Sequence, residues 1–376
     1  MFLFFYDKIV FVEVVRLRVI ITAGGTGGHI YPALAIINKL KEKHPDVVIL
    51  YIGTTDRMEA NLVPSLGITY KGIELKGLDR KRLFKNFRVF SMYKSAIKEA
   101  EKIIKDFKPD VVVGVGGYIT LPVITAANNL HVKTFIHEQN SIPGLSNKVL
   151  RKKVSAIGIS LPSSVKYFSE KNTYLTGNPR SEEAVNAPVL DKKKYGLNDN
   201  KKLVLFVMGS LGSLTITNIM KNIIPSFGKK DYEVLFVTGN NYYDSYKEVK
   251  VPSNVKLVPS LPDMLSVLKK TDLIITRAGA STIAEITVLG VPSIIIPSPY
   301  VTHNHQEKNA RVLEKTGCSL VIREKDLDKD ELLNKIDEVI NDDKRLLAMK
   351  KSNQKLGVKD SASKIVEIID KLVGEI

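Results

Sequence analysis

The sequence predicts a doubly wound α/β protein with two similar halves, and three observations lead to this fold class. Short β-branched runs alternate with amphipathic stretches along the whole chain, as expected where helices cover both faces of a parallel sheet. A strand that runs into a glycine-rich loop occurs twice, at Ala23–His29 and at Met208–Ser213. The length of 376 residues exceeds one ordinary core and favours two domains. Ligands of such folds bind outside the carboxyl ends of the strands, where both glycine loops lie.

Eight short runs of mostly Val, Ile, Leu or Phe are predicted as buried parallel strands. They are Val19–Thr22, Val47–Ile52, Val111–Val115, Thr134–His137, Leu203–Met208, Val234–Thr238, Leu273–Thr276 and Ser293–Pro297. Helical patterns lie between them. In Pro32–Lys43, for example, apolar residues recur at helical spacing, and the leading proline suits the first turn of a helix.

The boundary between the halves is predicted near residue 180. The stretch Ser181–Lys202 is polar and contains Pro188 and a run of lysines, which is a linker composition. The predicted domains are therefore residues 15–180 and 181–360, each Rossmann-like. Residues 1–14 are predicted to be an extension without function. Charged residues interrupt its apolar start and no small-residue cleavage site follows, so a signal peptide is disfavoured.

Composition and charge narrow the classes of protein. No apolar run reaches the roughly 18 residues that a membrane span needs, and the one cysteine, Cys318, excludes an intramolecular disulfide and fits a reducing compartment. The formal net charge of +16 predicts attraction to an anionic partner. Nucleic acid is not expected, because no zinc-finger spacing, RNP-like motif or basic zipper is present.

The first glycine loop, GGTGGH at residues 24–29, is the strongest single motif. Glycines let the backbone approach a ligand, and the helix that follows presents free N–H groups to phosphate or sugar oxygens. No Gly-Lys-Ser/Thr follows, so the loop is not a Walker loop. It also fails the dinucleotide fingerprint, because Ile30 takes the third glycine position. A tight turn needs fewer glycines, so a ligand-binding role is favoured, with His29 as a candidate functional side chain.

Two further strand ends belong to the second half. Gly209–Ser213 is a plausible diphosphate cradle through its backbone N–H groups and the Ser210 hydroxyl. The segment Thr276–Glu285 turns from a strand into a helix. Thr282 and Glu285 have the spacing of a capping box; alternatively, the carboxylate of Glu285 accepts two vicinal ribose hydroxyls. The local sequence leaves both interpretations open.

Polar and glycine-rich motifs complete the predicted cleft. HEQN at 137–140 concentrates amides and a carboxylate at a strand end, which favours sugar recognition; GGY at 116–118 and GNPR at 177–180 lie in the same half. The pair His303 and His305 suggests a metal, but no third ligand is evident, so no metal is predicted. Gln306 and Asn309, three residues apart, would share one helix face and can contact a ligand.

Together these motifs resemble the MurG family, which transfers N-acetylglucosamine in peptidoglycan synthesis. The resemblance extends from about Leu17 to the C-terminus. Seven blocks occur in the family's order: GGTGGH at 24–29, GTTDRME at 53–59, GGY at 116–118, HEQN at 137–140, GNPR at 177–180, RAGASTIAE at 277–285 and a loosely matched block at 304–310. One departure is Met208, which stands where the family's second loop usually has a glycine.

The resemblance implies a GT-B fold, in which a C-terminal helix, here 361–376, returns to the first domain. It implies that the sugar and acceptor side is lined by Thr26, Gly27, Gly28 and Asn140. It implies that the nucleotide is held by Arg180, Ser210, Leu261, Ala280, Ser281, Thr282, Ile283, Ala284, Glu285 and Gln306, with Glu285 on the ribose. The implied substrates are UDP-GlcNAc and undecaprenyl-linked lipid I, with no cofactor and no metal.

The reaction expected from this resemblance is a single inverting displacement. The 4-hydroxyl of the muramyl sugar attacks the anomeric carbon, UDP departs, and a β-1,4 linkage forms lipid II. Helix N-termini and loop N–H groups would stabilise the departing diphosphate. His29 is the candidate base, since a helix N-terminus disfavours its charged form; Glu138 is the alternative.

Three other functions stay open at this point. Another GT-B transferase, such as a diacylglycerol glucosyltransferase, would share the glycine loops but not HEQN and GNPR together. A UDP-GlcNAc 2-epimerase would convert the donor without an acceptor. A non-enzymatic cell-wall scaffold would not require intact sugar-facing motifs.

A membrane-facing surface is predicted in Lys76–Val89. Basic and large apolar residues alternate there, which suits a site where apolar groups enter the lipid boundary and cations face anionic headgroups. The candidate contacts are Leu78, Lys81, Arg82, Phe84 and Phe87. We therefore expect a peripheral protein on the cytoplasmic face of the cell membrane, where cell-wall and division proteins are further candidate partners.

Overall fold

A computed structural model of the chain describes residues 16–75, 86–208, 214–301 and 304–374, with the backbone alone for 86–90. Six predicted features therefore lie outside the described residues: the extension 1–14, Ser210 with its glycine loop, and Leu78, Lys81, Arg82 and Phe84 of the membrane segment. The side chain of Phe87 lies outside as well. These predictions stay untested by the structure.

The first half of the chain forms a seven-stranded sheet whose described neighbours all pair in parallel, in the order β3-β2-β1-β4-β5-β6-β7. Its elements are β1 Arg18–Thr22, α1 Gly27–Lys43, β2 Val48–Thr54, α2 Met58–Ser65, β3 Thr69–Ile73, α3 Asn86–Phe107, β4 Val111–Gly114, α4 Thr120–Asn129, β5 Lys133–Glu138, α5 Leu145–Leu150, β6 Ala156–Ile159 and β7 Thr173–Leu175.

The second half forms a six-stranded parallel sheet in the order β10-β9-β8-β11-β12-β13. Its elements are α6 Arg180–Asn186, β8 Leu203–Val207, α7 Leu214–Ile223, β9 Glu233–Val237, β10 Val255–Val258, α8 Met264–Leu268, β11 Leu273–Thr276, α9 Ala280–Leu289, β12 Ser293–Ile295, α10 His305–Lys315, β13 Ser319–Val321, α11 Lys329–Ile340, α12 Asp343–Leu356 and α13 Ser361–Val373.

Each sheet has a hydrophobic core on both faces, because successive strand residues point to opposite sides. In β1, Val19 and Ile21 join the core under α1 and α13, whereas Ile20 joins the core on the α3 and α4 side. In β8, Val204 and Leu205 likewise enter different cores. The near-continuous apolar strands of the sequence are thus explained by burial on both faces.

Two segments cross between the halves. Helix α6 packs against α9 of the second sheet and against α13, so the polar stretch predicted as a linker contains a helix that begins at Arg180. Helix α13 returns to the first half, where its Ile365, Val366 and Ile369 are fully buried in the core under β1. At the crossing, Gly177 has a φ of 74°, and a Cβ added there would lie 2.5 Å from Cβ of Val358.

All eight predicted strands are present, with ends shifted by no more than two residues. Five strands, β3, β6, β7, β10 and β13, were not predicted. The first helix was predicted to start at Pro32, but α1 begins at Gly27 and Pro32 lies buried inside it.

Candidate functional site

The candidate site lies where the carboxyl ends of the two sheets contact each other. From the first half it receives the loops after β1, β4 and β5. The second half contributes the loop after β11 and the start of α10. Asn309 on α10 joins these parts directly. It is fully buried, its Oδ1 accepts the backbone N–H of Ser141 at 2.9 Å, and its amide donates to Oδ1 of Asn140 at 3.1 Å and to the carbonyl of Ala278 at 3.4 Å.

The first glycine loop is held against the strand end after β4. The N–H of Gly24 donates to the carbonyl of Gly116 at 3.2 Å. Gly117 has a φ of 87°, and a Cβ added there would lie 2.3 Å from the carbonyl oxygen of Gly24. Only glycine tolerates both this backbone angle and this approach. The GGY motif therefore permits two loops to pack in direct backbone contact.

His29 lies in the first turn of α1, three residues after Thr26, whose carbonyl accepts the His29 N–H at 3.0 Å. Its imidazole packs on the backbone of Gly116, where an added Cβ would lie 2.4 Å from Nδ1. Burial lowers the pKa of His29; the carboxylate of Glu138 acts in the opposite direction, and His305 across the cleft lowers the pKa further. The imidazole is thus held in its neutral form near neutral pH, as a general base requires. Thr26 and Gly28 beside it are exposed.

The Glu138 carboxylate organises the loop that follows β5. Its Oε1 accepts from the backbone N–H and the side-chain amide of Asn140 at 2.9 and 3.2 Å, and its Oε2 accepts from Gly144 N–H and Asn147 Nδ2 at 2.9 and 2.8 Å. Its side chain is 2% exposed. With both oxygens bonded inside the loop, Glu138 is poorly placed to accept a substrate proton. The geometry favours His29 of the two candidate bases.

His137 and Gln139 of the same motif are buried supports. The His137 ring donates from Nε2 to the carbonyl of Gly177 at 2.9 Å and accepts at Nδ1 from the Gln139 amide at 3.1 Å. Burial lowers the pKa of His137 to about 4. The same amide of Gln139 also donates to the carbonyl of Val115 at 2.7 Å. HEQN thus ties the strand ends of β4, β5 and β7 together, and its Asn140 bonds to Asn309 of the second half.

Arg180, the first residue of the crossing helix α6, forms an ion pair with Glu285 on α9. The guanidinium reaches Oε1 of Glu285 at 3.1 Å from Nε and 3.0 Å from Nη2, and it also contacts Glu183. The Arg180 guanidinium lies 5.8 Å from the ring centre of Tyr31 on α1. Burial raises the pKa of Glu285, and the Arg180 charge opposes that shift. Two residues that the sequence analysis assigned to the nucleotide therefore contact each other.

The capping-box interpretation of Thr282 and Glu285 is wrong. Helix α9 has Gly279 at its N-cap and Ala280 as its first residue, and no side chain caps it. Glu285 therefore lies six residues after the N-cap rather than three, too far along the helix to bond back to its start. The half-buried first turn, Ala280 to Thr282, presents backbone N–H groups, and the buried Ser281 hydroxyl has no hydrogen-bond partner.

The other nucleotide candidates differ in accessibility. Ile283 and Leu261 belong to the second half's hydrophobic core, at 2% and 8% exposed, and Ala284 is also buried at 8%. Only their backbone is available to a ligand. Gln306 is half-buried, and its Oε1 accepts the N–H of Ser298 at 2.9 Å.

One polar residue at the site was missed by the sequence analysis. Glu59 is fully buried below the first glycine loop, and its Oε2 accepts the Gly25 N–H at 3.0 Å. Its position in the GTTDRME block was the available signal, but an acidic residue in a helix does not by itself indicate a partner 34 residues away.

Neither a metal cluster nor a membrane span occurs in the described part of the chain. Among residues 16–75, 86–208, 214–301 and 304–374, no group of three or more His, Cys, Asp or Glu side chains could hold a metal ion. Within the same ranges, no helix combines the length and the apolar character needed to cross a bilayer.

This fold and site define a glycosyltransferase with two Rossmann-like domains of the GT-B class. Residues 19–159 match the glycosyltransferase family 28 N-terminal domain, and residues 203–365 match the family 28 C-terminal domain. The chain is also 41% identical over 362 residues to the UDP-N-acetylglucosamine–N-acetylmuramyl-(pentapeptide) pyrophosphoryl-undecaprenol N-acetylglucosamine transferase of Bacillus cytotoxicus, covering 95% of this chain and 100% of that protein. The corresponding transferase 1 of Bacillus cereus is equally similar. The chain therefore belongs to the MurG family of glycosyltransferases.

Solved structures confirm the fold. The crystal structure of Acinetobacter baumannii MurG superposes with a TM-score of 0.78 at 24% identity, covering 94% of this chain and 99% of that one. A putative UDP-N-acetylglucosamine 2-epimerase from Listeria monocytogenes superposes with a TM-score of 0.69 at 13% identity, covering 95% and 96%. Because transferases and epimerases share this architecture, the fold alone does not decide the reaction.

Proposed function

We propose that this protein transfers N-acetylglucosamine from UDP-GlcNAc to the 4-hydroxyl of the muramyl sugar of lipid I, with inversion, to form lipid II. Membership of the MurG family supports this substrate pair. The observation that carries the proposal is the cleft itself. His29 of the first half, a half-buried imidazole of lowered pKa, lies on the same cleft as the Arg180–Glu285 pair of α6 and α9.

His29 acts as the base in this proposal. Its imidazole takes the proton from the 4-hydroxyl as the oxygen attacks the anomeric carbon. The bond from that carbon to the diphosphate breaks, and UDP leaves with the electron pair. Two features support the role: burial and the helix N-terminus both disfavour the imidazolium. Gly116 leaves space for the ring, so its position is fixed by backbone packing.

The second half holds the donor. The first turn of α9 offers N–H groups to the diphosphate, and the buried Ser281 hydroxyl is available as a further donor. Glu285 accepts from the ribose hydroxyls, and Arg180 moves from Glu285 toward the negative charge of the nucleotide. UDP binding would thus exchange the Arg180–Glu285 pair for bonds to the nucleotide.

The decisive experiment incubates the protein with UDP-GlcNAc in the presence and absence of lipid I. Lipid II and UDP should form only with the acceptor. Release of UDP-ManNAc without acceptor would support the epimerase instead. Absence of both products, with an intact fold, would support a scaffold. EDTA should leave the rate unchanged if the prediction of a metal-free reaction is correct.

The base is tested by His29→Ala, with His131→Ala as a matched control on an exposed residue of the same half. Loss of the base should lower kcat by about 10²–10⁴, with UDP affinity little changed because the nucleotide binds the other half. The control should keep the parental kcat. A loss under tenfold for His29→Ala would remove it from the role of base.

A peripheral location on the cytoplasmic face of the membrane is part of the proposal. The described residues on α5, which follows the loop after β5, support it. Leu145 and Val149 on α5 are 46% and 55% exposed, and Lys148, Lys152 and Lys153 are exposed around them. Apolar and basic groups on one surface suit an anionic lipid boundary.

The membrane segment predicted from sequence is tested by a quadruple variant. It combines the substitutions Phe84→Ser, Phe87→Ser, Lys81→Gln and Arg82→Gln. This variant should no longer sediment with anionic vesicles, whereas turnover of a short-chain, water-soluble acceptor should survive. Undiminished vesicle binding would place the docking surface elsewhere, and the equivalent changes at Leu145, Val149 and Lys148 would then identify it.

A further inference from the structure

We infer that Glu59 is a positioning residue for the transfer: its buried carboxylate holds the first glycine loop and thereby places Thr26 and His29 in the cleft. The expected effect of Glu59 on turnover rests on the proposed function, whereas its role in holding the glycine loop does not. Glu59 touches neither His29 nor the proposed substrates' site. It acts through the backbone of Gly25.

Three hydrogen bonds fix the carboxylate. Glu59 is on α2 and is fully buried. Its Oε1 accepts from the hydroxyl and the N–H of Thr54 at 2.7 and 3.2 Å, and its Oε2 accepts from the N–H of Gly25 at 3.0 Å. Thr54 is the last residue of β2, and Gly25 belongs to the loop after β1. The carboxylate therefore joins the ends of β1 and β2, whose pairing with each other runs no further than Thr22 and Ile52.

Two glycines of the sequence leave space for the side chain of Glu59. A Cβ on Gly24 would lie 2.4 Å from Oε1 of Glu59. A Cβ on Gly53 would lie 2.7 Å from Cγ of Glu59 and 2.4 Å from the hydroxyl oxygen of Tyr70. All three distances are below those that real Cβ atoms adopt. The first glycine of GGTGGH and the glycine of GTTDRME are thus packed around one acid.

The loop between the carboxylate and His29 is short. From Gly25, whose φ of 92° requires glycine, the chain passes through Thr26 at the N-cap of α1 and reaches His29 in the first helical turn. The preceding carbonyl, of Ala23, accepts from the Tyr51 hydroxyl at 3.0 Å. Ala23, Gly24 and Gly25 are therefore each held by a hydrogen bond from outside the loop. A displacement of Gly25 moves the start of α1 and the imidazole with it.

A carboxylate is needed because both oxygens must accept. An amide offers one acceptor oxygen and one donor nitrogen. In Glu59→Gln, the –NH₂ group must therefore face the N–H of either Gly25 or Thr54, and one backbone donor loses its partner. The substitution keeps the volume of the side chain, so it tests the hydrogen bond rather than the packing.

The experiment compares Glu59→Gln with Glu233→Gln. Glu233 on β9 is also a buried acid, 8% exposed, whose Oε2 accepts a backbone N–H, that of Asn198 at 2.9 Å, but it lies in the other half. We expect Glu59→Gln to lower kcat with UDP-GlcNAc and lipid I by about 10- to 100-fold, because displacement of a catalytic group by about 1 Å costs this much. The dissociation constant for UDP should stay within about twofold. Glu233→Gln should keep both parameters.

Hydrogen exchange supplies the readout that does not depend on turnover. Exchange of the amides in a peptide covering residues 23–29 should accelerate in Glu59→Gln and stay parental in Glu233→Gln. An inactive parent would refute the proposed function and leave this readout to decide the inference. Parental kcat together with parental exchange would overturn the inference. If Glu59→Gln does not fold, Glu59→Asp, which keeps the charge but withdraws it by one methylene, should show the same two changes, and parental values there would overturn it equally.

Discussion

The ion pair between Arg180 and Glu285 gives the sharpest quantitative test of the structure. Its two side chains are 20% and 9% exposed, and 105 residues separate them in the chain. At an effective dielectric constant of about 20, charges about 3 Å apart attract by roughly 5 kcal/mol. Burial of Glu285 offsets this attraction, because its pKa is raised in spite of the Arg180 charge. We therefore expect a net coupling of about 2–4 kcal/mol.

The two single substitutions should differ. Arg180→Ala leaves a buried carboxylate without its cation and should lower the free energy of unfolding by about 2–4 kcal/mol. Glu285→Ala leaves Arg180 with Glu183 as a remaining partner and should cost about 1–2 kcal/mol. The double variant should resemble Glu285→Ala, since the penalty in Arg180→Ala comes from the orphaned carboxylate.

The pH dependence has a definite sign. A folded-state pKa of Glu285 above its ordinary value of 4.5 means that the folded state binds the proton more tightly than the unfolded state. The stability contributed by the protonated form is present below pH 4.5 and is lost as pH rises through the folded pKa. Removal of Arg180 raises that pKa further. The deficit of Arg180→Ala should therefore shrink as pH falls from 8 to 5.

The coupling between Arg180 and Glu285 is measured by chemical denaturation. The parent, both single variants and the double variant are each unfolded with and without saturating UDP. The exposed pair Lys364–Asp360, at 43% and 60%, is the control cycle and should give about 0.5 kcal/mol or less. Coupling below about 0.5 kcal/mol for Arg180–Glu285 would refute the assignment of a buried pair. Coupling that UDP leaves unchanged would refute the exchange of partners on nucleotide binding.

Four further predictions concern other parts of the chain. Because burial lowers the pKa of His29, kcat should be level above pH 7 and fall only below about pH 6.5; a profile still rising above pH 7.5 would contradict the role of base. For His137, with a folded pKa of about 4, the free energy of unfolding should fall by on the order of 3 kcal/mol from pH 6.5 to 4, because the unfolded state binds the proton first. His137→Gln should flatten that slope and His131→Gln should not. Asn309→Ala should cost about 1–3 kcal/mol and loosen the contact with Ser141, seen as faster exchange of that amide. Removal of residues 1–14 should leave the melting temperature nearly unchanged, since the first strand begins at Arg18; a loss of several degrees would show that the extension is structural.

The strands that the sequence revealed are those with strong apolar runs. Four of the five missed strands, β3, β7, β10 and β13, are at the edges of the sheets, where one side is uncovered and polar residues such as Lys71 and Lys256 interrupt the pattern. The fifth, β6, is interior but contains Gly158, because a Cβ there would lie 2.7 Å from the Phe135 ring. Close packing against Phe135 thus requires a glycine in β6, and this glycine interrupts the apolar run by which a strand is recognised in the sequence.

The motifs of the site were found from the sequence, but the pairing between them was not. Glycine loops, HEQN and RAGASTIAE are local patterns with local physical reasons. The bonds that assemble them connect Ser141 to Asn309, Arg180 to Glu285 and Gly25 to Glu59. No spacing in one sequence specifies such contacts, because they depend on how the two sheets are placed against each other. For the same reason Glu138 looked like a possible base until its four hydrogen bonds within the loop were seen.

Polar groups that are proposed to hold the substrates bond to each other in the cleft. Asn140 of the first half bonds to Asn309 of the second, and Arg180 on the crossing helix α6 bonds to Glu285 on α9. A substrate that takes over one partner must offset the loss of that bond before it gains net affinity, since a ligand shifts an arrangement only by its differential affinity. Donor binding should therefore loosen the contact of the crossing helix α6 with α9 at Arg180. Acceptor binding at Asn140 would then open the second contact at lower cost, which predicts that the two substrates favour each other's binding. A dissociation constant for lipid I that UDP leaves unchanged would show that the two contacts open independently.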